Sequence, residues 1–171
     1  MPAQSSIPGE LTELSFNLPG RIFRSPLPFG DRDRNGQLVR QYQVECIAVI
    51  VVLVGDEEIL VSTGKNLRKY YLESGYDVIH LPIPDYGVPD SSSLALAVSS
   101  ALEQARAGKN VVVHCNAGIG RTGMFLACMA KEVLGITGDE AIRWVRSYIP
   151  GAIENSQQLE IARSYRGVLA C

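Results

Sequence analysis

The chain has 171 residues, which is enough for one domain that buries most of its apolar surface in a single core. Its 16 basic and 18 acidic residues give a net charge of −2, without the concentrated basic face that nucleic-acid binding requires. The longest apolar run, Cys46–Val54, is too short to span a bilayer, and the first residues lack the basic and apolar parts of a secretory signal. We therefore expect a cytoplasmic monomer with no nucleic-acid or membrane partner.

The chain is predicted to consist of an irregular lead-in over residues 1–20 and a single domain over residues 21–171. The lead-in is rich in proline and glycine, and residues 21–36 are predicted to form a short strand followed by loops. Apolar, β-branched runs then predict strands at Cys46–Val54, Asp77–Ile83 and Asn110–His114. Helical spacing of apolar residues predicts helices at Gly64–Ser74, Ser91–Ala107, Gly120–Leu134 and Asp139–Tyr148, with a last helix after Asn155.

This alternation of strands and helices indicates an α/β fold. The expected architecture is a central, mainly parallel sheet of four to five strands with helices on both faces. The helix Gly120–Leu134 is apolar nearly all round, so it is predicted to be buried beside the equally apolar strand Asn110–His114. The turn between these two elements lies at the carboxyl end of a parallel strand, where ligand sites form in such sheets.

That turn contains the sequence HCNAGIGRTG, residues 114–123. Gly118 and Gly120 allow the backbone to curl so that successive N–H groups point inward and bind an anion, and the helix N-terminus adds its positive end. Arg121 can offer two parallel N–H groups to a phosphate. The same surroundings favour the thiolate form of Cys115, which makes it a candidate nucleophile rather than a core cysteine.

A second polar segment follows the preceding predicted strand. In PIPDYGVPD, residues 82–90, the prolines and the glycine predict a loop whose carboxylate can reach the first site. Two aspartates are candidates for the acid. Asp90 suits the N-cap of the next helix, which leaves Asp85 as the favoured acid.

Together these two motifs resemble the protein tyrosine phosphatase superfamily. HCNAGIGRTG is similar to its HC-x5-R-[ST] signature, with Asn116 where serine is usual, and IPDYGVP is similar to its mobile acid loop, with Ile83 in place of tryptophan. The resemblance covers about residues 18–165. The short chain and the segment Glu58–Asp90 are more similar to the compact kinase-associated phosphatases, a dual-specificity-like group. The resemblance implies that the phosphatase loop lies between the buried strand and the buried helix.

The resemblance implies a role for each matching residue. Cys115 is the nucleophile, Asp85 the general acid, and Thr122 the hydroxyl that hydrogen-bonds the thiolate; His114 orients Cys115 through the backbone. Glu58 resembles the acid that holds the loop arginine, and Gln157 or Gln158 resembles the glutamine that positions water, although all three are also candidates for solvated surface. No metal or other cofactor is implied. The phosphate is expected to be held by the loop residues Asn116, Ala117, Gly118, Ile119, Gly120 and Arg121.

The expected activity is hydrolysis of phosphate monoesters on protein side chains through a cysteinyl-phosphate. Phosphotyrosine is the first candidate substrate, with phosphoserine and phosphothreonine as further candidates. One alternative is a phosphoinositide or RNA 5′-phosphatase with the same chemistry, although Arg121 is the only cation in the loop. Another is a non-catalytic phosphopeptide-binding module, which the intact Cys115, Arg121 and Asp85 disfavour.

A reactive thiolate also predicts reversible oxidation of Cys115. A second cysteine could then form a disulfide with it, and the sequence leaves Cys46 and Cys128 open as partners. Cys171 is expected to lie in a frayed tail.

Overall fold

A computed structural model describes residues 9–168, and Cys171 lies outside the described residues. Five strands form one sheet in the order β1-β2-β5-β3-β4. The strands are β1 (Thr12–Leu14), β2 (Ile22–Ser25), β3 (Ile47–Val52), β4 (Asp77–His80) and β5 (Asn110–His114). The helices are α1 (Gln37–Val44), α2 (Asp56–Thr63), α3 (Leu67–Glu73), α4 (Ser91–Arg106), α5 (Gly120–Leu134), α6 (Gly138–Tyr148) and α7 (Ser156–Ser164).

The predicted α/β architecture is confirmed. Strands β2, β5, β3 and β4 are parallel, and only β1 runs antiparallel to its neighbour β2. Alternate side chains of the sheet enter two different cores, as the period of two in a strand requires. Val51 and Val113 pack on the face covered by α4, α5 and α6, whereas Ile50 and Val112 pack on the face covered by α1, α2 and α3.

Three elements were not predicted, and one of them corrects the predicted lead-in. Residues 9–20 are not wholly irregular, because Thr12–Leu14 forms β1 and pairs with β2. Helix α1 begins after Gly36, which has no side chain to cap the helix and so gave no sequence signal for its start. Asp33 caps the helix instead, by accepting from the N–H groups of Gln37 and Leu38. Helix α2 buries only Ile59, so it lacks a clear apolar stripe.

The predicted strand Asp77–Ile83 is shorter in the structure and ends at His80. Pro82 and Pro84 have no N–H group and cannot continue a regular ladder. The chain nevertheless stays beside β3, because the N–H groups of Leu81 and Ile83 donate to the carbonyls of Val52 and Leu53 at 3.0 and 3.1 Å. This contact directs the following segment over the carboxyl edge of the sheet, where the loop after β5 also lies.

Within residues 9–168, no helix is long and apolar enough to cross a membrane.

Candidate active site

The phosphate loop, defined here as residues 115–121, joins β5 to α5 at the carboxyl edge of the sheet. Its turn depends on Gly118, which has a left-handed φ of +74°. A methyl group at this position would lie 2.4 Å from the carbonyl oxygen of Ser25 and 2.5 Å from the guanidinium of Arg24. Only glycine therefore allows the loop to pack this closely against β2.

Cys115 lies at the base of this loop and is only 2% exposed. Its sulfur accepts a hydrogen bond from the N–H of Gly118 at 3.3 Å, so a loop amide already points at the atom predicted to be the nucleophile. The predicted hydrogen bond from Thr122 to the sulfur is not formed in this structure. The Thr122 hydroxyl is buried, and it has no partner within the part of the chain that the structure describes. Its role in releasing the thiolate stays a prediction.

His114 contacts the backbone of Cys115, as the family resemblance implies. Its Nδ1 lies 3.0 Å from the Cys115 carbonyl oxygen, and its Nε2 lies 3.0 Å from the Tyr71 hydroxyl. Because a carbonyl can only accept, Nδ1 carries the proton and Nε2 accepts from Tyr71. Burial lowers the pKa of His114 to about 4, so the ring is neutral at physiological pH. His114 thus holds the start of the loop as a neutral ring.

Arg121 is held in a fixed orientation by Glu58. Its two terminal nitrogens each donate to one Glu58 oxygen at 2.9 Å, and one of them also donates to the Ile83 carbonyl at 2.8 Å. Hydrogen bonds from Arg121 lower the pKa of Glu58 below its ordinary value, so this carboxylate stays ionised. Asn116 also donates to Glu58, at 3.1 Å. Glu58 therefore ties both ends of the phosphate loop to α2.

The acid loop, residues 82–90, places Asp85 against the same arginine. An Asp85 oxygen lies 3.3 Å from Arg121, while 61% of the Asp85 side chain remains exposed. Asp90 instead caps α4 by accepting from the N–H of Ser93 at 2.9 Å. The geometry brings Asp85, and not Asp90, to Arg121.

One small pocket unites these groups. It has a volume of about 20 Å³, roughly the space of one water molecule. Because the Asp85 carboxylate contacts Arg121 directly, a phosphate that binds Arg121 has to displace this contact. The pocket is lined by Asp85, Cys115, Ala117, Gly120, Arg121, Glu154 and Gln158.

The structure distinguishes between the two candidate glutamines. Gln158 is fully buried and lines the pocket, whereas Gln157 is exposed. The side chain of Gln158 accepts from the N–H of Glu154 at 2.9 Å and donates to the Gly87 carbonyl at 3.4 Å, so it contacts the acid loop. Asn155 adds a second contact by donating to the Tyr86 carbonyl at 2.8 Å.

These contacts predict different effects for two adjacent substitutions. Gln158→Ala should lower kcat for para-nitrophenyl phosphate about two- to tenfold, because it removes a hydrogen bond between α7 and the acid loop. Gln157→Ala, at an exposed position on the same helix, should leave kcat unchanged. Steady-state kinetics of the two purified variants would test this, and equal effects of the two substitutions would contradict it.

Sequence reasoning missed four residues that contact the site: Arg24, Tyr71, Glu154 and Asn155. Arg24, Glu154 and Asn155 lie well outside residues 82–123 in sequence, and Tyr71 lies 43 residues from His114, the residue it contacts. Only Arg24 gave a sequence signal: it is a charged residue directly after Ile22 and Phe23, which indicate a strand, and a charge within a strand can mark a functional residue.

Neither Cys46 nor Cys128 is placed to form a disulfide with Cys115. Cys46 precedes the amino end of β3, about six residues or 20 Å from the edge where Cys115 lies, and a disulfide needs Cα atoms within about 7 Å. Cys128 is buried about two helical turns, or 12 Å, beyond Gly120, and burial raises its pKa above the ordinary value. Within residues 9–168 there is also no group of three or more His, Cys, Asp or Glu residues arranged to hold a metal ion.

Comparison with known proteins identifies relatives over most of the chain. A family model described as "Polymorphic toxin system, DSP-PTPase phosphatase" matches residues 36–132, which is more than half of the sequence. The chain is 34% identical over 104 residues to protein tyrosine phosphatase domain-containing protein 1 of Mus musculus. That match covers 61% of this chain but only 14% of the mouse protein, so the chain spans a small part of this relative.

Solved structures share the fold along nearly the whole chain. Kinase associated phosphatase, solved with its catalytic-site cysteine replaced by serine, aligns with a TM-score of 0.84 and 24% identity over 95% of this chain and 96% of that one. Tk-PTP in its active form aligns with a TM-score of 0.72 and 28% identity over 88% of this chain and 92% of that one. Both proteins are about as long as this chain, as expected for the compact phosphatases that the sequence resembles.

Proposed function

Because the chain belongs to the DSP-PTPase family of dual-specificity and tyrosine phosphatases, we propose that it hydrolyses phosphate monoesters on protein side chains, with Cys115 as the nucleophile. The observation that carries this proposal is the arrangement of Cys115, Arg121 and Asp85 around one pocket. A module that only binds phosphopeptides would need neither a thiol at the base of the loop nor an acid beside it.

The first chemical step transfers the phosphoryl group to sulfur. The Cys115 thiolate attacks phosphorus, the bond between phosphorus and the side-chain oxygen breaks, and protonated Asp85 gives its proton to that leaving oxygen. The loop amides and Arg121 hold the remaining phosphate oxygens and stabilise the charge of the transition state. Glu58 fixes Arg121 in the orientation that this requires.

The second step returns the enzyme to its starting state. A water molecule attacks the cysteinyl-phosphate, its proton passes to the Asp85 carboxylate, and the sulfur–phosphorus bond breaks to release phosphate and the thiolate. Gln158 borders the pocket beside Asp85 and can orient this water. The Thr122 hydroxyl, which has no other partner among the described residues, is available to donate to the departing thiolate.

The charges around the pocket favour substrates with a single phosphate. Glu154 lines the pocket, and a methyl group placed on Gly120 would lie 2.9 Å from a Glu154 carboxylate oxygen. With Glu58 and Asp85, three carboxylates thus surround the one loop cation, Arg121. A phosphoinositide or an RNA 5′-triphosphate would bring further negative charges to these carboxylates. A phosphorylated side chain, with phosphotyrosine the best fit to a sulfur that is 2% exposed, brings only one phosphate.

Substrate turnover tests the proposal directly. In the presence of a chelator, we expect the protein to hydrolyse para-nitrophenyl phosphate and a phosphotyrosine peptide, and a matched phosphoserine peptide more slowly. Vesicles containing phosphatidylinositol phosphates and a 5′-triphosphorylated RNA should be poor substrates. Preferred turnover of either polyanion, or no turnover of any substrate, would contradict the proposal.

Reversing the charge of Glu154 should change this preference. In Glu154→Lys, the ratio of kcat/KM for a phosphoinositide to that for the phosphotyrosine peptide should rise about tenfold, because a carboxylate that repels the extra phosphates becomes an ammonium that attracts them. Glu160→Lys makes the same charge change at an exposed position on α7 that does not line the pocket, and it should leave the ratio unchanged. The measurement is paired phosphate-release kinetics at one ionic strength.

We further propose that the protein acts in the cytoplasm. The support is chemical: a catalytic thiolate needs a reducing compartment to stay unoxidised. The slightly negative net charge gives no support for a nucleic-acid or anionic-membrane partner.

A further inference from the structure

A second arginine contacts the phosphate loop from the side opposite the pocket. Arg24 lies on β2, beside Val113 of β5, and is only 2% exposed. Its Nε and one terminal nitrogen donate to the Gly118 carbonyl at 3.0 and 2.8 Å, and the same terminal nitrogen donates to the Ala117 carbonyl at 3.2 Å. The other terminal nitrogen donates to the Glu10 carbonyl at 3.2 Å.

The two loop carbonyls belong to peptide units whose N–H groups face the other way. In a trans peptide the C=O and N–H point in opposite directions, and residues 9–168 contain no cis peptide bond. The Ala117 carbonyl shares its peptide with the N–H of Gly118, which donates to the Cys115 sulfur at 3.3 Å. The Gly118 carbonyl shares its peptide with the N–H of Ile119, which therefore points away from Arg24. A cation bound to these carbonyls polarises both N–H groups and strengthens their bonds to an anion.

The charge of Arg24 has no carboxylate partner among the described residues. All its hydrogen-bond acceptors there are backbone carbonyls, although buried charges in proteins are normally paired. Burial lowers the pKa of Arg24 to about 10, so the side chain is still charged at neutral pH. A negative charge on Cys115 raises the pKa of Arg24 and so opposes the effect of burial. The substrate phosphate would bring a second negative charge to the same loop.

We propose that Arg24 is a positioning residue of the phosphate loop, whose buried charge stabilises the Cys115 thiolate and the bound phosphate through the peptide units of residues 117–119. This inference rests on the proposed function, in which the thiolate and the phosphate are the anions of the site. Arg24 does not touch the substrate. Its effect passes through the backbone, and the left-handed Gly118 allows its close approach.

The test separates the charge of Arg24 from its hydrogen bonds. Arg24→Gln keeps a donor without the charge, and Arg24→Lys keeps the charge with one donor group. The rate at which iodoacetamide alkylates Cys115 is measured against pH by mass spectrometry of the Cys115 peptide, which requires no substrate turnover. The alkylation midpoint should move to higher pH by about one unit in Arg24→Gln and stay near the wild-type value in Arg24→Lys. The acidic limb of kcat/KM should move with it, and inorganic phosphate should inhibit Arg24→Gln about tenfold more weakly.

Arg21→Gln is the matched control. Arg21 precedes the same strand, but its side chain donates to Glu13 and Glu45 and not to the phosphate loop. It should leave the alkylation midpoint unchanged. A folded Arg24→Gln protein with the wild-type midpoint and phosphate inhibition would overturn the proposal. A shift of about one pH unit in the alkylation midpoint of Arg24→Lys would also overturn it, and this result can be obtained even if Arg24→Gln fails to fold. If the wild type turns over no substrate but the alkylation midpoints shift as expected, the proposed function is wrong and this role of Arg24 stands.

Discussion

Replacing Cys115 with serine is expected to abolish turnover while leaving phosphate binding intact. A serine hydroxyl at this position is a far weaker nucleophile than a thiolate, and loss of an enzyme's nucleophile commonly lowers kcat by about 10⁴-fold or more. The phosphate, however, is held by loop amides and by Arg121, which Glu58 keeps in place. Inorganic phosphate should therefore still bind Cys115→Ser, as measured by isothermal titration calorimetry.

The chain offers a matched control for this substitution. Cys46 is exposed and lies just before the amino end of β3, whereas Cys115 follows the carboxyl end of β5, so Cys46→Ser should retain full activity. Residual activity of Cys115→Ser above a few per cent would show that another group attacks the phosphate. Loss of activity in Cys46→Ser would show that the effect of a serine substitution is not specific to Cys115.

The parts of the site that could be predicted are those in which one short segment contains the whole signal. The phosphate loop has its glycines, cysteine and arginine within ten residues, between a strand and a helix whose apolar patterns are unambiguous. The predicted bounds of β5 and α5 agree with the structure for this reason. Asp85 was indicated because its proline- and glycine-rich loop resembles the acid loop of the family; the structure places it against Arg121, and its role as general acid stays a prediction.

The remainder depends on contacts between distant segments. Arg24 lies 94 residues from Gly118, and Tyr71 lies 43 residues from His114. Neither pairing has a sequence pattern, because only the fold brings these segments together: Arg24 lies on β2 beside β5, and Tyr71 lies on α3, which packs on the sheet. Gln158 and Gln157 are equally plausible in sequence, and only the phase of α7 buries one and exposes the other. A helix that is predicted without accurate bounds cannot supply that phase.

Glu58 illustrates a third limit. Helix α2 buries one residue and has three acidic residues in its first turn, which is typical of a solvated helix. The bidentate contact with Arg121 exists because α2 follows β3, and its first turn therefore lies at the same edge of the sheet as the phosphate loop. The family resemblance indicated this residue, whereas composition and periodicity did not.

Replacing Asp85 with alanine is expected to have the second-largest effect, and its size should depend on the leaving group. Without a general acid, kcat for a peptide phosphoester should fall by about 10²–10⁴-fold. The loss should be smaller for an activated phenol, which leaves without protonation.

The contact between Asp85 and Arg121 adds a feature that a general acid alone would not produce. The Asp85 carboxylate lies 3.3 Å from the guanidinium that must bind the phosphate, so it competes with the substrate for that cation. Asp85→Ala should therefore bind inorganic phosphate more tightly than the wild type even though it turns over more slowly. Asp90→Asn keeps a good N-cap for α4 and should match the wild type in rate and phosphate affinity. If Asp90→Asn slows turnover of the peptide phosphoester and Asp85→Ala does not, the acid is Asp90 and not Asp85.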